Sequence, residues 1–368
     1  MAAKPKHRDP AMDIVRVFAL LCVISVHFFY NNQFYQTPVT GMRMYIMMVM
    51  RNFFMISVPL FLILSGYLMG NKRPNGAYFL GLGKTLLTYL LASLACMLYK
   101  VLKQDVVYSF PKAILAITDF SGANYSWYVE MYIGLYLMIP FLNILYNGLE
   151  SKKQKQLLLA VFLFLSSAHS VLNIFRFSDP GWFLEPTRSA EYHRLVPDWW
   201  MNIYPITYYF IGRYLREHPL KMPRWKHILS IVLVTLAVGI FNIYRSYGVK
   251  FVWGIWQGWY ALPNILLAVL VFDLLAHIHC EKMKPGTRHL LKICSDWTFG
   301  AYLVSWIFDQ EAYPRLIAAV PDMPQRLEYY FLIVPGVFIS SLLLSALLDL
   351  LSRPIRMLAH SLKNKVTQ

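Results

Sequence analysis

"MDIVRVFALLCVISVHFFYNN", residues 12–32, is the stretch that decides the fold of this chain. It is mostly apolar and about as long as a helix must be to cross the hydrocarbon core of a bilayer. It nevertheless contains an aspartate, an arginine and a histidine: Asp13, Arg16 and His27. A signal peptide also begins with basic residues and an apolar run, but here the run is long and no small-residue cleavage site follows it. We therefore expect an uncleaved first membrane-spanning helix.

The composition extends this expectation to the whole chain. Of its 368 residues, 57% are hydrophobic and 15% are charged, and the mean hydropathy is +0.44, which excludes an ordinary soluble domain. The sequence predicts an all-α, polytopic integral membrane protein with about ten transmembrane helices. The predicted spans are 11–31, 46–69, 77–100, 126–146, 156–175, 198–215, 226–245, 256–278, 291–309 and 327–352.

The basic residues predict the orientation of these spans. With the N-terminus in the cytoplasm, the inner segments carry about twice as many Lys and Arg residues as the outer segments. Both termini are then cytoplasmic: residues 1–10 form a short N-terminal segment, 11–352 one membrane domain and 353–368 a basic tail. Membrane topology thus explains much of the net charge of +16, and we expect the lipid bilayer, not nucleic acid, as the partner.

The polar residues of the first span share one helix face. Arg16 and His27 are eleven residues apart, which is nearly three turns and roughly 16 Å along the axis. Asp13 lies one turn before Arg16, and Asn31 one turn after His27. Because charge facing lipid is costly, we expect this face to line a protein interior or a wet cavity. The alternative is that Asp13 and Arg16 merely pair at the inner membrane boundary.

Two further charged residues fall in predicted spans at a depth similar to that of His27. Arg51 lies at the outer end of the second span, and Glu130 lies about one turn into the fourth. We expect them to meet His27 in one outer cavity, where a carboxylate that orients an imidazole makes a general base. The alternative is a buried Arg51–Glu130 pair that serves packing alone.

Other polar segments allow weaker interpretations. The connection 176–197 mixes charged residues with aromatics and prolines, which suits sugar or headgroup recognition but also an interfacial aromatic belt. The segment 277–294 holds three histidines and two cysteines among lysines, in a spacing that fits no common zinc pattern, so no metal is expected. The four cysteines imply no disulfide framework.

Several motifs resemble one family. Arg16 and His27 form R-x10-H in the first span, and "FFMISVPLFLILSGYL", residues 53–68, is similar to the FF…LSGF/Y signature of the second. "TFGAYLVSWIFD", residues 298–309, resembles the SFG-x-YL stretch of a late span. With ten spans and a cytoplasmic N-terminus, the chain resembles the acyltransferase-3 family of integral-membrane acyltransferases. The stretches 126–143 and 199–217 resemble the branch without an appended extracellular domain.

The resemblance implies a membrane-bound O-acyltransferase of the bacterial inner (plasma) membrane. Such an enzyme moves an acyl group, most often acetyl, from cytoplasmic acyl-CoA to a hydroxyl of a surface or precursor glycan or glycolipid. His27 is then the expected base, oriented by Glu130 or Arg51, although transfer through an acyl-histidine stays open. The remaining expected contacts are Arg16, Asp13, Lys72, Arg73 and Lys84 for acetyl-CoA or another acyl-CoA, and Trp127, Ser305 and Asp309 for the acceptor.

The chain departs from the family pattern in two places. Many members have an RxxR-like pair at the start of the third span, where residues 78–89 offer only Lys84. Several have a histidine after the YL of the late span, where this chain has Ser305. The first departure concerns how CoA is held, and the second removes one positioning or catalytic group. Neither affects Arg16 or His27.

Two other classes of function stay open from the sequence. Polar stripes and a kinked span are also typical of transporters or flippases of small polar solutes, although no inverted repeat is evident. A non-catalytic scaffold of a glycan-assembly complex is a third possibility, but a scaffold has no use for three charged groups at matched depth. Release of CoA separates an acyltransferase from a carrier.

Overall fold

The computed structural model describes residues 8–178, 181 and 192–366. Most of the predicted outer connection 176–197 therefore lies outside the described residues. Within the described ranges, extended pairing is confined to one isolated bridge between Val39 and Tyr247. The α-helices of these ranges are α1 (Pro10–Asn31), α2 (Gly41–Phe54), α3 (Ser57–Met69), α4 (Gly76–Leu80), α5 (Leu82–Gln104), α6 (Phe110–Thr118), α7 (Trp127–Asn147), α8 (Lys152–Ser167), α9 (His169–Leu172), α10 (Tyr204–Glu217), α11 (Arg224–Ser246), α12 (Leu262–Ala276), α13 (Pro285–Ala319) and α14 (Tyr330–Val366).

Seven helical segments in the described part of the chain are long and apolar enough to cross a membrane. Each overlaps one of the predicted spans, and together they confirm the predicted fold class of an all-α polytopic membrane protein. The segments are Pro10–Asn31, Gly41–Met69, Gly76–Gln104, Trp127–Asn147, Arg224–Ser246, Ile255–Ala276 and Met323–Pro354.

The other three predicted spans are helical but differ from a simple apolar span. Helix α8 has 16 residues, and α10 has 14, so both are shorter than the roughly 20 residues that a bilayer requires. Helix α13 has 35 residues and carries charged side chains such as Lys292 and Asp296 within the predicted range 291–309. Length and apolarity alone therefore support seven of the ten predicted spans.

The polar character of α10 has a physical reason. Every residue from Thr207 to Arg213 is buried in protein. The Thr207 hydroxyl donates to the carbonyl of Phe162 at 3.2 Å, and the Tyr208 hydroxyl donates to the carbonyl of Trp259 at 2.6 Å. Because neighbouring segments of the protein satisfy these groups, the helix does not need an apolar surface.

Contacts divide the helices into two compact units. The first unit runs to Gly70 and also contains Tyr146–Ser295 and Met323–Leu327. The second contains Asn71–Leu145, Asp296–Asp322 and the chain from Glu328 onward. The expectation of one membrane domain over residues 11–352 stays a prediction, and each unit is described by itself.

Helices α3 and α10 meet at their backbones in the first unit. A Cβ atom added to Gly66 would overlap the carbonyl of Tyr209, and one added to Gly212 would overlap the carbonyl of Ile63. Small residues allow membrane helices to approach this closely, so that van der Waals contact replaces the hydrophobic effect as the source of association. The SGY motif of α3 thus has a packing role through its glycine.

The predicted second span is broken into α2 and α3. The break lies at Met55 and Ile56, directly before the helix that contains Pro59. A proline ring clashes with the carbonyl four residues earlier, which here belongs to Met55. The position of the break therefore follows from the position of the proline.

Helix α11 presents an apolar stripe that protein does not cover. Leu229, Val232, Leu233, Leu236 and Ile240 are all exposed and follow helical spacing. Monomeric soluble proteins rarely expose such continuous apolar surface. The stripe is suited to contact with lipid.

Tyrosines join α4 to α7 in the second unit. The hydroxyl of Tyr78 donates to the carbonyl of Tyr136 at 2.6 Å, and the hydroxyl of Tyr136 donates to the carbonyl of Tyr78 at 2.8 Å. Their rings stack with centroids 4.5 Å apart. This reciprocal pair holds the start of the third predicted span against the fourth.

Candidate functional site

The inner end of α1 is held by a cluster around Asp13. Helix α1 begins at Pro10, and the side chain of Asp9 caps it by accepting from the backbone N–H of Ala11 at 2.9 Å. This start places Asp13 in the first turn and Arg16 one turn later. The Asp13 carboxylate accepts hydrogen bonds from Arg8 at 2.5 Å, Arg16 at 3.0 Å and the hydroxyl of Ser295 at 2.7 Å.

The cluster combines a buried carboxylate with two partly exposed guanidinium groups. The side chain of Asp13 is only 4% exposed, whereas those of Arg8 and Arg16 are 37% and 27% exposed. Two guanidinium groups contact the same carboxylate, and these hydrogen bonds fix their positions. Asp13 can therefore orient the arginines, and the arginines can meet an anion. The predicted Asp13–Arg16 pair exists. Its geometry is compatible with a polar face that lines a protein interior or wet cavity and with a pair that only marks the inner membrane boundary.

Sequence reasoning missed two members of this cluster. Arg8 precedes the helix and so falls outside the helical spacing that relates Asp13 to Arg16. Ser295 is 282 residues away from Asp13 along the chain. Only the fold brings it there, since helical periodicity carries no information about such distant contacts.

His27 lies on the same helix as this cluster, toward the predicted outer end. Its side chain is half-buried, as is that of Asn31 one turn later. The side chain of Asn31 donates to the backbone carbonyl of His27 at 3.0 Å. The predicted polar residues Arg16, His27 and Asn31 are thus all partly accessible, although most of their helical neighbours, such as Ile24 and Phe28, are buried.

Arg51 lies in an aromatic enclosure within the first unit. The residue is 2% exposed, and its guanidinium carbon lies 5.8, 5.0 and 5.5 Å from the ring centroids of Tyr35, Phe251 and Trp253. Its Nε donates to the hydroxyl of Tyr35 at 3.2 Å, and its Nη1 donates to the side-chain oxygen of Asn52 at 3.3 Å. Cation–π contacts and neutral acceptors therefore surround this charge.

The residues predicted at the start of the fourth span belong to the second unit. Trp127 and Glu130 are both exposed in the first turn of α7. A carboxylate there is favoured by the positive end of the helix dipole. The predicted meeting of Glu130 with His27, and the alternative of an Arg51–Glu130 pair, involve both units and stay predictions.

Ser305 and Asp309 lie on the buried face of α13. The hydroxyl of Tyr125 donates to the carboxylate of Asp309 at 2.7 Å, and that of Tyr302 donates to the backbone carbonyl of Tyr125. Ser305 donates to the carbonyl of Tyr302, one turn earlier, at 2.9 Å. These contacts hold α13 against the start of α7. Ser305 and Asp309, which are predicted to contact the acyl acceptor, therefore also stabilise the packing of the second unit.

Three predicted donor-binding cations lie around the start of the third span. Lys72, Arg73 and Lys84 are exposed, and none of them forms an ion pair with another described residue. The backbone carbonyl of Lys72 accepts from the side chain of Asn143 at 2.9 Å, which fixes the loop that carries the first two. Their side chains can therefore reach an anionic ligand.

The histidines and cysteines of segment 277–294 do not gather. Within the described ranges, no three His, Cys, Asp or Glu side chains lie close enough together to hold a metal ion. The Nδ1 atom of His277 instead lies 3.6 Å from the carboxylate of Asp273, one turn earlier. Residues 277–284 form the connection before α13, and residues 285–294 belong to the start of that helix.

Comparison with known proteins identifies a family. A family model described as an acyltransferase domain matches residues 9–349, which is nearly the whole chain. No curated protein and no solved structure matches the chain.

Proposed function

This chain belongs to the acyltransferase family whose model matches it, and we propose that it transfers an acyl group, with acetyl as the first candidate, from cytoplasmic acyl-CoA to a glycan or glycolipid hydroxyl. The bacterial inner membrane is the proposed location. One observation carries the proposal: a single helix, α1, holds a cationic cluster at one end and a half-buried histidine eleven residues further on. This arrangement suits a donor and an acceptor that reach the enzyme from opposite sides.

The inner cluster is the proposed site for the donor. Acyl-CoA carries several negative charges and does not cross lipid, so its phosphates must be met at the cytoplasmic end. Arg16 and Arg8 offer guanidinium groups held in place by Asp13, and paired guanidinium–phosphate contacts are strong and directional. Lys72, Arg73 and Lys84 of the second unit are proposed to add positive charge to the same ligand.

His27 is proposed as the general base. Its imidazole takes the proton from the acceptor hydroxyl while the hydroxyl oxygen attacks the thioester carbonyl. The carbon–sulfur bond then breaks, and the proton returns to the thiolate of CoA. The products are an acyl ester and free CoA, so no additional reactant is needed. Arg51 or Glu130 would orient His27 or the acceptor.

A direct test is CoA release by the purified protein in nanodiscs supplied with acetyl-CoA. We expect the wild type to release CoA slowly, by transfer to water, and His27→Ala to lose this release while staying folded and inserted. His277→Ala, the same change at an exposed inner-loop histidine, is the matched control and should behave as the wild type. Equal release by the wild type and His27→Ala would refute the proposed role of His27.

The same sample separates the enzyme from a carrier. Binding of acetyl-CoA is measured beside CoA release, because release also depends on an acceptor. Binding without release leads to a search for the acceptor glycan. A protein that neither binds acetyl-CoA nor releases CoA does not have the proposed function, and transport of a polar solute then becomes the better description.

A further inference from the structure

Three segments of the first unit meet near the His27 end of α1. Their ranges are 31–57, 236–262 and 323–327, and we call them together the cationic end. The backbone N–H of Val39 donates to the carbonyl of Val249 at 2.8 Å, and Arg326 donates to the carbonyl of Asn32 at 3.1 Å. None of the three segments contains Asp or Glu. They contain Arg43, Arg51, Arg245, Lys250 and Arg326.

The charge of the cationic end is largely internal. Arg51, Arg245 and Arg326 are among the most deeply buried large side chains of the described chain. For Arg51, the described partners are aromatic rings, one hydroxyl and one amide oxygen, and they include no carboxylate. A buried charge without a counter-charge is costly, and its field extends far because little water screens it. Arg51 should therefore attract an anion.

An exposed indole lies directly against this buried charge. Trp253 is 54% exposed, yet its ring stacks on Tyr35 with centroids 4.7 Å apart and meets the ring of Phe251 at 4.8 Å. The guanidinium of Arg51 lies 5.5 Å from its centroid. A tryptophan that only anchors a protein at the membrane interface needs no such fixed surroundings. A rigid, accessible indole is instead suited to contact with the apolar face of a ring-shaped ligand.

We propose that Trp253 and the cationic end bind an acidic sugar unit, a pyranose ring that carries a carboxylate. The indole of Trp253 contacts the C–H face of the ring, and the carboxylate is attracted by Lys250, which is exposed three residues earlier, and by the field of buried Arg51. Arg51 acts as a positioning residue, since it is buried beneath the aromatic group. This inference rests on the proposed function only in taking the sugar to be part of the acceptor.

The test measures sugar binding without acyl-CoA, so that it is independent of acyl transfer. The full chain is labelled with 5-fluorotryptophan in nanodiscs, and the resonance of Trp253 is assigned by its loss in Trp253→Phe. Methyl β-glucuronide and methyl β-glucoside are then titrated at low salt, because the two probes differ only in the carboxylate. We expect the Trp253 resonance to respond to the glucuronide at a concentration at least about tenfold lower than to the glucoside.

Controls separate this site from general effects of charge and membrane. Trp199 is 69% exposed and should keep its resonance unchanged. Lys250→Gln should reduce the preference for the glucuronide, whereas Lys226→Gln, at an exposed lysine of the opposite end of α11, should not. These surface variants carry little risk to folding, unlike changes to buried Arg51.

Three results would overturn the proposal. Equal responses to the two probes would exclude a preference for an acidic sugar. No response of Trp253, or matching responses of Trp253 and Trp199, would exclude a sugar site at Trp253. Because no donor is present, glucuronide binding by a protein that neither binds acetyl-CoA nor releases CoA would reject the acyltransferase mechanism while leaving this site intact.

Discussion

The carboxylate of Asp13 lies 3.0 Å from the guanidinium of Arg16, one turn further along α1. The same carboxylate holds Arg8 and Ser295, so one buried acid orients two cations at the predicted cytoplasmic end. The role of this cluster can be tested by enzyme kinetics. Substitutions of the acid and of the cations should both change the KM for the proposed donor, acyl-CoA.

Loss of the acid should loosen the donor site. Asp13→Asn keeps the shape of the side chain but removes the charge that fixes Arg8 and Arg16, and we expect the KM for acyl-CoA to rise about five- to tenfold with a smaller change in kcat. Steady-state CoA release at varied acyl-CoA measures both constants. An unchanged KM would show that the arginines are held without Asp13.

Loss of the Arg16 guanidinium should also raise the KM for acyl-CoA. Arg16→Gln should raise the KM for acyl-CoA about tenfold, more than it lowers kcat, because the guanidinium is proposed to contact the donor and not the reacting atoms. Arg224→Gln, at an exposed position at the start of α11, is the control and should have little effect. A fall in kcat at constant KM would place Arg16 in the chemical step. The double variant Arg8→Gln/Arg16→Gln should be non-additive, since both residues share Asp13.

The contact between α3 and α10 should tolerate no added methyl group. Gly66→Ala places a Cβ against the carbonyl of Tyr209, and we expect it to lower the free energy of unfolding by about 1–3 kcal/mol. Gly134→Ala, in α7, is the matched control because no atom lies near its added Cβ, and alanine is the better helix former. Thermal unfolding in detergent compares the two. Similar midpoints would contradict the close packing.

The hydroxyl of Tyr125 should stabilise the second unit through Asp309. Tyr125→Phe removes the donor of a buried 2.7 Å hydrogen bond, and we expect a loss of about 1–3 kcal/mol in stability. Tyr329→Phe removes a more exposed hydroxyl and should cost little. If Asp309→Asn costs as much as the double variant, the two groups act as one unit; fully additive losses would show that they do not.

Cys280 can report the orientation of the connection before α13. We expect a membrane-impermeant maleimide to label it in inside-out vesicles but not in intact spheroplasts, because segment 277–294 is predicted to be cytoplasmic. Partial burial and the nearby charge of Asp9 raise the pKa of Cys280. Less of it is therefore thiolate at neutral pH, and the labelling rate should increase as the pH rises. Cys280→Ser is the control, and labelling from the outside would reverse the predicted topology.

The sequence predicted best those features that lie within a single helix. Apolar runs predicted the helices that are long enough to cross a membrane, and the three-residue spacing of Asp13 and Arg16 predicted their ion pair. It was less informative for α10, because burial in protein removes the need for an apolar surface. Ser295 beside Asp13, and Phe251 and Trp253 around Arg51, come from distant parts of the chain, and such contacts leave no periodic signal.

Ser305 shows that a position within a sequence motif does not fix the role of a side chain. Its place after the YL motif suggested a contact with the acceptor, but its hydroxyl donates to the carbonyl of Tyr302 in the same helix. A serine one turn away from a carbonyl can make this bond in any helix, so spacing alone does not separate the two roles.

The glycine contacts between α3 and α10 also restrict how the first unit can move. Main chain touches main chain on both sides of that contact, so neither helix can slide or turn against the other without a clash. The two helices must therefore travel as a single body, and the break at Met55 and Ile56 is the nearest place where the backbone can bend. If His27 is the base proposed above, an opening that admits its substrate should occur around this pair of helices and not between them.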